Sequence, residues 1–184
     1  MSYPEIYKHQ IVENSELHDL VISIVNHLQH LKIPSLVLVQ QYKHGDALRS
    51  RKPDYMFIRG NQARGKRRKA IQDMRDGKLD AAIATTLADE GLDIERLGAV
   101  IVAGGGKSIT RVYQRVGRAL RKFPGKDKAL VFLFHHNRKY LDKHGARVKN
   151  ILKQEGEFVV LESTPESIIG DIDDIVNPSA GLFE

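Results

Sequence analysis

The apolar residues of this chain recur at two spacings, one typical of helices and one typical of buried strands. Between Ser15 and Leu31 they stand three or four positions apart, which predicts an amphipathic helix that ends at Ile33-Pro34. The run Ser35–Val39 is almost continuously apolar, as expected of a strand covered on both faces of a parallel sheet. The same pattern predicts further helices at residues 44–50, 65–75, 108–122 and 138–154. It predicts further strands at residues 55–58, 81–84, 99–102, 129–134 and 157–161.

Helices that alternate with strands predict an α/β fold built on an open, mostly parallel sheet with right-handed crossovers. We assign residues 1–161 to this one domain. Residues 162–184 are acidic and turn-rich, and we expect them to form a loosely attached C-terminal extension. Open parallel sheets bind ligands in loops beyond the carboxyl ends of their strands. Functional residues are therefore expected in the loops after Val39, Ile58, Ala84, Val102 and Phe134.

Charge is divided unevenly along the 184 residues, whose formal net charge is +6. Residues 162–184 contain six acidic and no basic side chains, so the first 161 residues carry +12. A basic body favours polyanionic partners such as nucleic acid, because binding releases condensed counterions. The chain has no cysteine, which excludes disulfides and thiolate metal sites. With no long apolar run and no secretory signal, we expect a cytoplasmic or otherwise intracellular protein that makes no membrane contact.

Two segments carry candidate chemistry, and the first, residues 84–94, follows a predicted buried strand. Thr85 and Thr86 offer hydroxyl and backbone N–H groups to a phosphate. Gly91 permits backbone conformations that other residues resist, and Asp93 could accept from a ribose hydroxyl or a metal-bound water. An ordinary strand, turn and capped helix would also explain this segment.

The second segment is the predicted helix 108–122, which carries four arginines at helical spacing: Arg111, Arg115, Arg118 and Arg121. Guanidinium groups gathered in this way repel one another unless an anion or carboxylates receive them, and arginine forms forked bonds to phosphate oxygens. The helix either faces a phosphate or presents a solvated basic surface. The basic run Arg64–Lys69 leaves the same two alternatives open.

Together these segments resemble motifs V and VI of superfamily 2 helicases. Ala84-Thr85 with Gly91-Leu92-Asp93 is similar to motif V, and Gln114-Arg-x-Gly-Arg-x-x-Arg121 is similar to motif VI. Leu36–Gln40 resembles the motif IV strand, and residues 57–77 resemble the stretch that leads to motif V. The resemblance spans about residues 13–161 and points to the XPB-like group of DNA repair and phage helicases within the DEAD/DEAH-like proteins. It implies a RecA-like second lobe, with helices on both faces of the sheet.

The resemblance also implies roles for individual residues. Arg118 and Arg121 would be arginine fingers that reach the γ-phosphate of ATP. The residues expected at the rest of the nucleotide are Gly91, Asp93, Gln114 and Arg115. The residues expected to hold the phosphates of a DNA or RNA strand, with DNA favoured, are Gln40, Gln41, Gly60, Thr85 and Thr86. ATP and its Mg²⁺ would be held mainly by an N-terminal helicase lobe, present in cis or in trans.

No complete nucleotide-binding lobe is found in the sequence. Gly106-Lys107-Ser108 ends like a phosphate-binding loop, but the first glycine of that motif would fall at Ile101, inside a predicted strand. We therefore expect this chain alone not to hydrolyse ATP. His135 and His136 lack the further ligands of a metal site, and His18, His27 and His30 are expected to be structural or exposed.

Three functions remain open from the sequence. The leading interpretation is the second lobe of an ATP-dependent helicase or translocase. The first alternative is a stand-alone nucleic-acid-binding module without ATPase activity, which would have no need for Arg118 and Arg121. The second is an unrelated α/β domain whose arginines bind a phosphorylated metabolite, and which would not show salt-sensitive binding to long single strands.

Overall fold

The computed structural model describes residues 2–85, 94–104, 128–135, 150 and 159–178. Within these residues, five parallel strands form one sheet in the spatial order β2-β3-β1-β4-β5. The strands are β1 Ser35–Val39, β2 Met56–Ile58, β3 Ala81–Thr85, β4 Ala99–Val102 and β5 Leu130–Leu133. The predicted α/β fold and the positions of these strands are confirmed.

The centre of the sheet is fully buried. Every residue of β1, β3 and β4 is buried, which explains why these segments, apart from Ser35 and Thr85, are apolar without alternation. β1 lies between its neighbours with Val39 opposite Thr85 of β3 and Leu38 opposite Val102 of β4. Because all pairings are parallel, the carboxyl ends of β1, β2 and β3 meet at one edge of the sheet.

Three of the helices that the sequence predicts are present: α2 Ser15–His30, α3 Tyr42–Arg51 and α4 Arg64–Arg75. Asn14 caps α2, since its side-chain oxygen accepts the Leu17 N–H at 3.0 Å. The apolar face of α2 is buried as its spacing predicts, at Leu17, Val21, Ile24, Val25 and Leu28.

The N-terminal segment has structure that the apolar pattern did not indicate. A short helix α1, Tyr3–Tyr7, continues into a π-helical turn, Lys8–Val12. Tyr7, Ile11 and Val12 are buried. An α-helix of five residues is too short to establish a period, and the wider π turn shifts apolar positions away from the usual spacing.

The C-terminal residues contain a helix that the sequence analysis did not predict. By its internal contacts the chain divides into Met1–Val148 and Lys149–Glu184. In the second unit, Ile168–Val176 forms a helix, α5, that buries Ile172, where the sequence analysis expected a loose tail. The isoleucines of this segment have helical spacing, but the acidic and turn-forming residues around them led to the prediction of a tail. The boundary between residues 161 and 162 stays a prediction.

The strand predicted at residues 157–161 is wrong where the structure describes it. Val159 and Leu161 are 89% and 60% exposed, and residues 159–161 pair with none of the described strands. Apolar content does not make a strand unless a neighbouring strand offers hydrogen-bonding partners. The predicted helix 108–122 lies outside the described residues, as does the helix 138–154 apart from Asn150, which is helical. Across the described ranges, no helix is long and apolar enough to cross a bilayer.

Candidate functional site

The carboxyl edge of β1, β2 and β3 brings together three of the residues that the sequence singled out. Thr85 ends β3 opposite Val39, so it lies beside Gln40 at the end of β1. Ile58 of β2 pairs with Ala84 of β3, which places Gly60 close to Thr85 from the other side. Residues far apart in sequence therefore form one continuous edge.

A hydrogen bond joins the two loops at this edge. The Gly60 N–H donates to the Thr85 Oγ1 at 3.0 Å, and Thr85 is only 1% exposed. The threonine oxygen thus positions the backbone of the loop that follows β2. The hydroxyl also has a hydrogen to donate, and no acceptor for it is found in the described part of the chain.

The loop after β2 is fixed by further hydrogen bonds. The Arg59 N–H donates to Gln62 Oε1 at 3.2 Å, and Gln62 Nε2 donates to the Phe57 carbonyl at 3.1 Å. Arg67 of α4 donates from its guanidinium to the Gly60 carbonyl. Both polar groups of the Gly60 backbone are therefore engaged, which makes the loop a preorganised element.

Arg59 adds a fixed cation to this loop, and the sequence analysis did not select it. Its guanidinium lies over the Phe57 ring at 4.7 Å and the Tyr42 ring at 5.8 Å, and it pairs with the Asp46 carboxylate of α3. Gly45 permits this arrangement, because a Cβ there would lie 2.1 Å from Phe57 Cζ. Arg59 lies within residues 57–77, which resemble the stretch before motif V, but its partners become visible only in the fold.

A second close approach occurs where β1 and β4 end. A Cβ added to Gly104 would lie 2.9 Å from the Gln40 backbone nitrogen and 3.1 Å from the Tyr7 hydroxyl oxygen, so the small residue is required. The Tyr7 hydroxyl is buried without a hydrogen-bond partner among the described residues, and burial raises the pKa of Tyr7. Gln40 is half-buried here, whereas Gln41 is exposed at the start of α3.

Helix α4 presents a basic face beside this edge. Its buried side consists of Ala70, Ile71 and Met74. Arg67 turns to Gly60, and Lys69 pairs with Asp73 at 2.6 Å. The exposed basic side chains of the predicted run are Arg64, Lys66, Arg68 and Lys69.

The other predicted site residues lie outside the described residues: Thr86, Gly91, Asp93, Gln114, Arg115, Arg118 and Arg121. Their roles stay predictions. Ile101 lies within β4, so a phosphate-binding loop cannot begin there. Where side chains are described, no group of three or more His, Asp or Glu residues is placed to hold a metal ion.

The buried histidines form a structural contact. His18 of α2 stacks on His44 of α3 with ring centroids 5.1 Å apart, and His18 Nε2 lies 3.2 Å from the Ile11 carbonyl oxygen. Neither ring nitrogen of His44 has a partner in the described ranges, and burial lowers the pKa of His44 to about 3. His18 is buried rather than exposed, and the burial of His44 was not predicted from the sequence.

Comparison with known proteins identifies the family. The family model described as the helicase conserved C-terminal domain matches residues 14–123, more than half of the chain. A putative helicase 22 of Sulfolobus islandicus filamentous virus is 32% identical over 94 residues, which is 51% of this chain and 17% of the relative. The putative DNA 3'-5' helicase Rad25 of Halobacterium salinarum is 29% identical over 130 residues, 69% of this chain and 21% of the relative.

Among solved structures, T4 UvsW superposes with a TM-score of 0.67 at 20% identity over 84% of this chain and 35% of UvsW, which establishes a common fold. The chain spans only about a fifth of the length of the two relatives. The match over residues 14–123 covers the described edge as well as the basic run Arg64–Lys69 and the predicted helix 108–122. The chain therefore belongs to the family of helicase conserved C-terminal domains, and it has a RecA-like α/β fold.

Proposed function

We propose that this chain is the second motor lobe of an ATP-dependent nucleic-acid helicase or translocase. The observation that carries the proposal is the sheet edge at which Gly60 is hydrogen-bonded both to Thr85 and to Arg67 of α4, a helix that carries further exposed basic side chains. An edge with preorganised polar groups and neighbouring cations suits a phosphate backbone. Membership in the helicase C-terminal domain family supports it independently.

We propose that the phosphates of one nucleic-acid strand bind along this sheet edge. The residues that hold them are Gln40, Gln41, Gly60, Thr85 and Thr86. Because Thr85 occupies the Gly60 N–H, the contribution of Gly60 is close approach of a backbone without a side chain. Contacts of this kind position a strand without reading its bases. DNA is favoured because the Halobacterium relative is named a DNA 3'-5' helicase, and RNA is the alternative substrate.

The proposed nucleotide site is shared with an N-terminal lobe, in cis or in trans, which holds most of ATP and its Mg²⁺. From this chain, Gly91, Asp93, Gln114 and Arg115 line the nucleotide, and Arg118 and Arg121 reach its γ-phosphate. The metal ion neutralises charge on the phosphates. The arginines stabilise the additional charge that develops as the γ-phosphoryl group is transferred. Alone, the chain binds a strand but does not turn over ATP.

The test is ATP hydrolysis by the chain joined to a candidate N-terminal helicase lobe, with and without single-stranded DNA. We expect Arg118→Ala with Arg121→Ala to lower kcat by roughly 10³- to 10⁵-fold, as for other arginine fingers, and to leave strand affinity unchanged. Arg68→Ala on the exposed face of α4 is the matched control. It should weaken strand binding and preserve hydrolysis at saturating DNA.

The opposite result would contradict the arginine-finger assignment and would make Arg118 and Arg121 part of a nucleic-acid-binding surface. In that case the double substitution would lower strand affinity and leave ATP hydrolysis untouched. Rapid hydrolysis by the unjoined 184-residue chain would also contradict the division of labour between two lobes.

A further inference from the structure

We infer that Arg59 binds a phosphate of the nucleic-acid strand and that Asp46 neutralises Arg59 when no nucleic acid is bound. Asp46 therefore sets the affinity of this sheet edge for nucleic acid. The inference rests on the proposed function and adds to it a specific cation and its internal competitor. It concerns side chains that the motif resemblance did not assign. The two residues are thirteen positions apart in sequence and are joined by an ion pair at the end of β2.

Arg59 lies at the sheet edge that is proposed to bind the nucleic-acid strand. It follows β2 directly and precedes Gly60, whose N–H is bonded to Thr85. The Arg59 backbone N–H donates to Gln62 Oε1, and this hydrogen bond holds the Arg59 backbone in place. The guanidinium is therefore anchored next to the polar edge that is proposed to receive phosphates.

The guanidinium has unused hydrogen-bonding capacity. An arginine side chain carries five N–H donors, and the structure shows one side-chain hydrogen bond, from Arg59 Nη2 to Asp46 Oδ1. No other acceptor for this side chain is present among the described residues. The Phe57 and Tyr42 rings hold the cation through π contacts. Such contacts do not consume N–H donors, so forked bonds to two phosphate oxygens remain possible.

Exchange of the carboxylate for a phosphate is physically favourable. The side chains of Arg59 and Asp46 are 31% and 50% exposed, and a partly exposed ion pair of this kind contributes little stability. Breaking it returns the Asp46 carboxylate to water, where it is well solvated. Binding of a strand phosphate in its place also releases a condensed counterion, which drives association.

Other cations near the loop are not equivalent to Arg59. Arg67 donates to the Gly60 carbonyl and thereby holds the loop, while Lys69 pairs with Asp73 within α4. Arg59 is fixed by aromatic rings and restrained by one carboxylate on a different element. Removing that carboxylate should leave the cation in place and make it available.

The experiment measures binding of a fluorescent oligothymidylate by the 184-residue chain at low salt, using fluorescence anisotropy. We expect Asp46→Asn to bind about three- to tenfold more tightly and Arg59→Gln about three- to tenfold less tightly, the size of one charge-assisted contact. In the double variant, Asp46→Asn should give no gain, because its effect acts through Arg59. The plot of log K against log salt should be steeper for Asp46→Asn than for Arg59→Gln by about 0.7, one phosphate contact.

Asp54→Asn is the matched control for the change of net charge. Asp54 is exposed and precedes β2, at the end of the strand opposite to Arg59. At about 0.1 M salt, where the Debye length is about 10 Å, we expect it to alter affinity less than about twofold, because exposed charges separated by more than a Debye length are screened. Melting temperatures show whether each variant is folded. Should Arg59→Gln unfold, Arg59→Lys retains the charge without the fork and is expected to bind with reduced affinity.

The inference alone would be overturned by equal gains in affinity from Asp46→Asn and Asp54→Asn. It would also be overturned if the gain in affinity from Asp46→Asn persisted without Arg59. Unchanged affinity in Arg59→Gln, with normal binding by the wild type, has the same meaning. If the wild type and every variant fail to bind the strand at low salt, the proposed function is wrong, and the inference is lost with it.

Discussion

At the scale of single residues, one side chain determines the conformation of the candidate edge. Thr85 is a buried polar residue at the end of a strand that is otherwise apolar. A buried hydroxyl is unfavourable unless it is hydrogen-bonded, and Gly60 supplies the donor at 3.0 Å. Thr85, for which the motif resemblance implies a contact with a nucleic-acid strand, therefore has a structural role in the fold.

We predict that Thr85→Val lowers the free energy of unfolding by about 1–3 kcal/mol, because the Gly60 N–H loses its partner in a part-buried position. Thr85→Ser is the matched control. It keeps the hydroxyl and loses about 0.8 kcal/mol with the methyl group. Urea denaturation measures both values. Strand affinity should fall in the valine variant and persist in the serine variant, whereas equal behaviour of the two would show that the hydroxyl is unimportant.

At the scale of elements, α2 and α3 meet through two stacked histidines. His44 is buried with both ring nitrogens unpaired among the described residues, and burial is the cause of its lowered pKa. Burial also lowers the pKa of His18, with the positive charge of Arg51 as a second cause. Both rings are therefore neutral in the folded protein at neutral pH. Protonation of either ring would place a charge between the two helices.

This contact predicts acid sensitivity. The pKa of His44 is about 3 in the folded protein against 6.5 for the ordinary group, so the unfolded chain takes up the proton first. The contribution to stability is complete above pH 6.5 and is lost progressively as the pH falls towards 3. At pH 5 the loss from His44 is about 2 kcal/mol, at about 1.4 kcal/mol per pH unit. His18 adds to the loss in the same direction.

Urea denaturation of the wild type between pH 7.5 and 5 measures this loss. His44→Leu should stabilise the protein and flatten the dependence on pH, since no imidazole remains to be protonated at that position. His30→Gln, at the exposed end of α2, is the matched control and is expected to keep the wild-type slope. A His44→Leu variant with an unchanged slope would place the acid sensitivity elsewhere.

At the scale of the whole molecule, charge governs the expected interaction with nucleic acid. The net charge is +6, and all basic side chains lie in the first 161 residues. A basic body that contacts a strand through phosphates binds with an affinity that depends steeply on salt. A site for one phosphorylated metabolite would be far less sensitive to salt and indifferent to strand length.

We predict that about four phosphate contacts give a slope near −3 for log K against log salt on a long oligothymidylate. A rise in salt from 50 to 200 mM would then weaken binding by about 60-fold. A thymidine trinucleotide is the control ligand and should bind much more weakly at both concentrations. Equal affinity for the two ligands, with a flat salt dependence, would favour the metabolite-binding alternative.

Much of this architecture could be predicted because the burial of an element determines the local pattern of apolar residues in its sequence. Apart from Ser35 and Thr85, the strands Ser35–Val39 and Ala81–Thr85 are apolar since both faces of the sheet are covered. The helix Ser15–His30 shows the period of a helix with one buried face. The same local information missed α1 and α5 and predicted a strand at residues 157–161 that is absent where described. Short or charged helices carry too little periodic signal to compete with composition.

By itself the sequence predicted the fold class, the five strands of the described sheet, the family and the sheet edge that carries the candidate site. Local periodicity and motif spacing carry that information because they reflect which faces are buried and which loops follow strands. Only the tertiary structure decided the partners of individual side chains: Gly60 with Thr85, Arg59 with Asp46, and His18 with His44. These pairs join different elements, so they depend on how the crossovers place one element beside another. No local pattern in the chain specifies that placement.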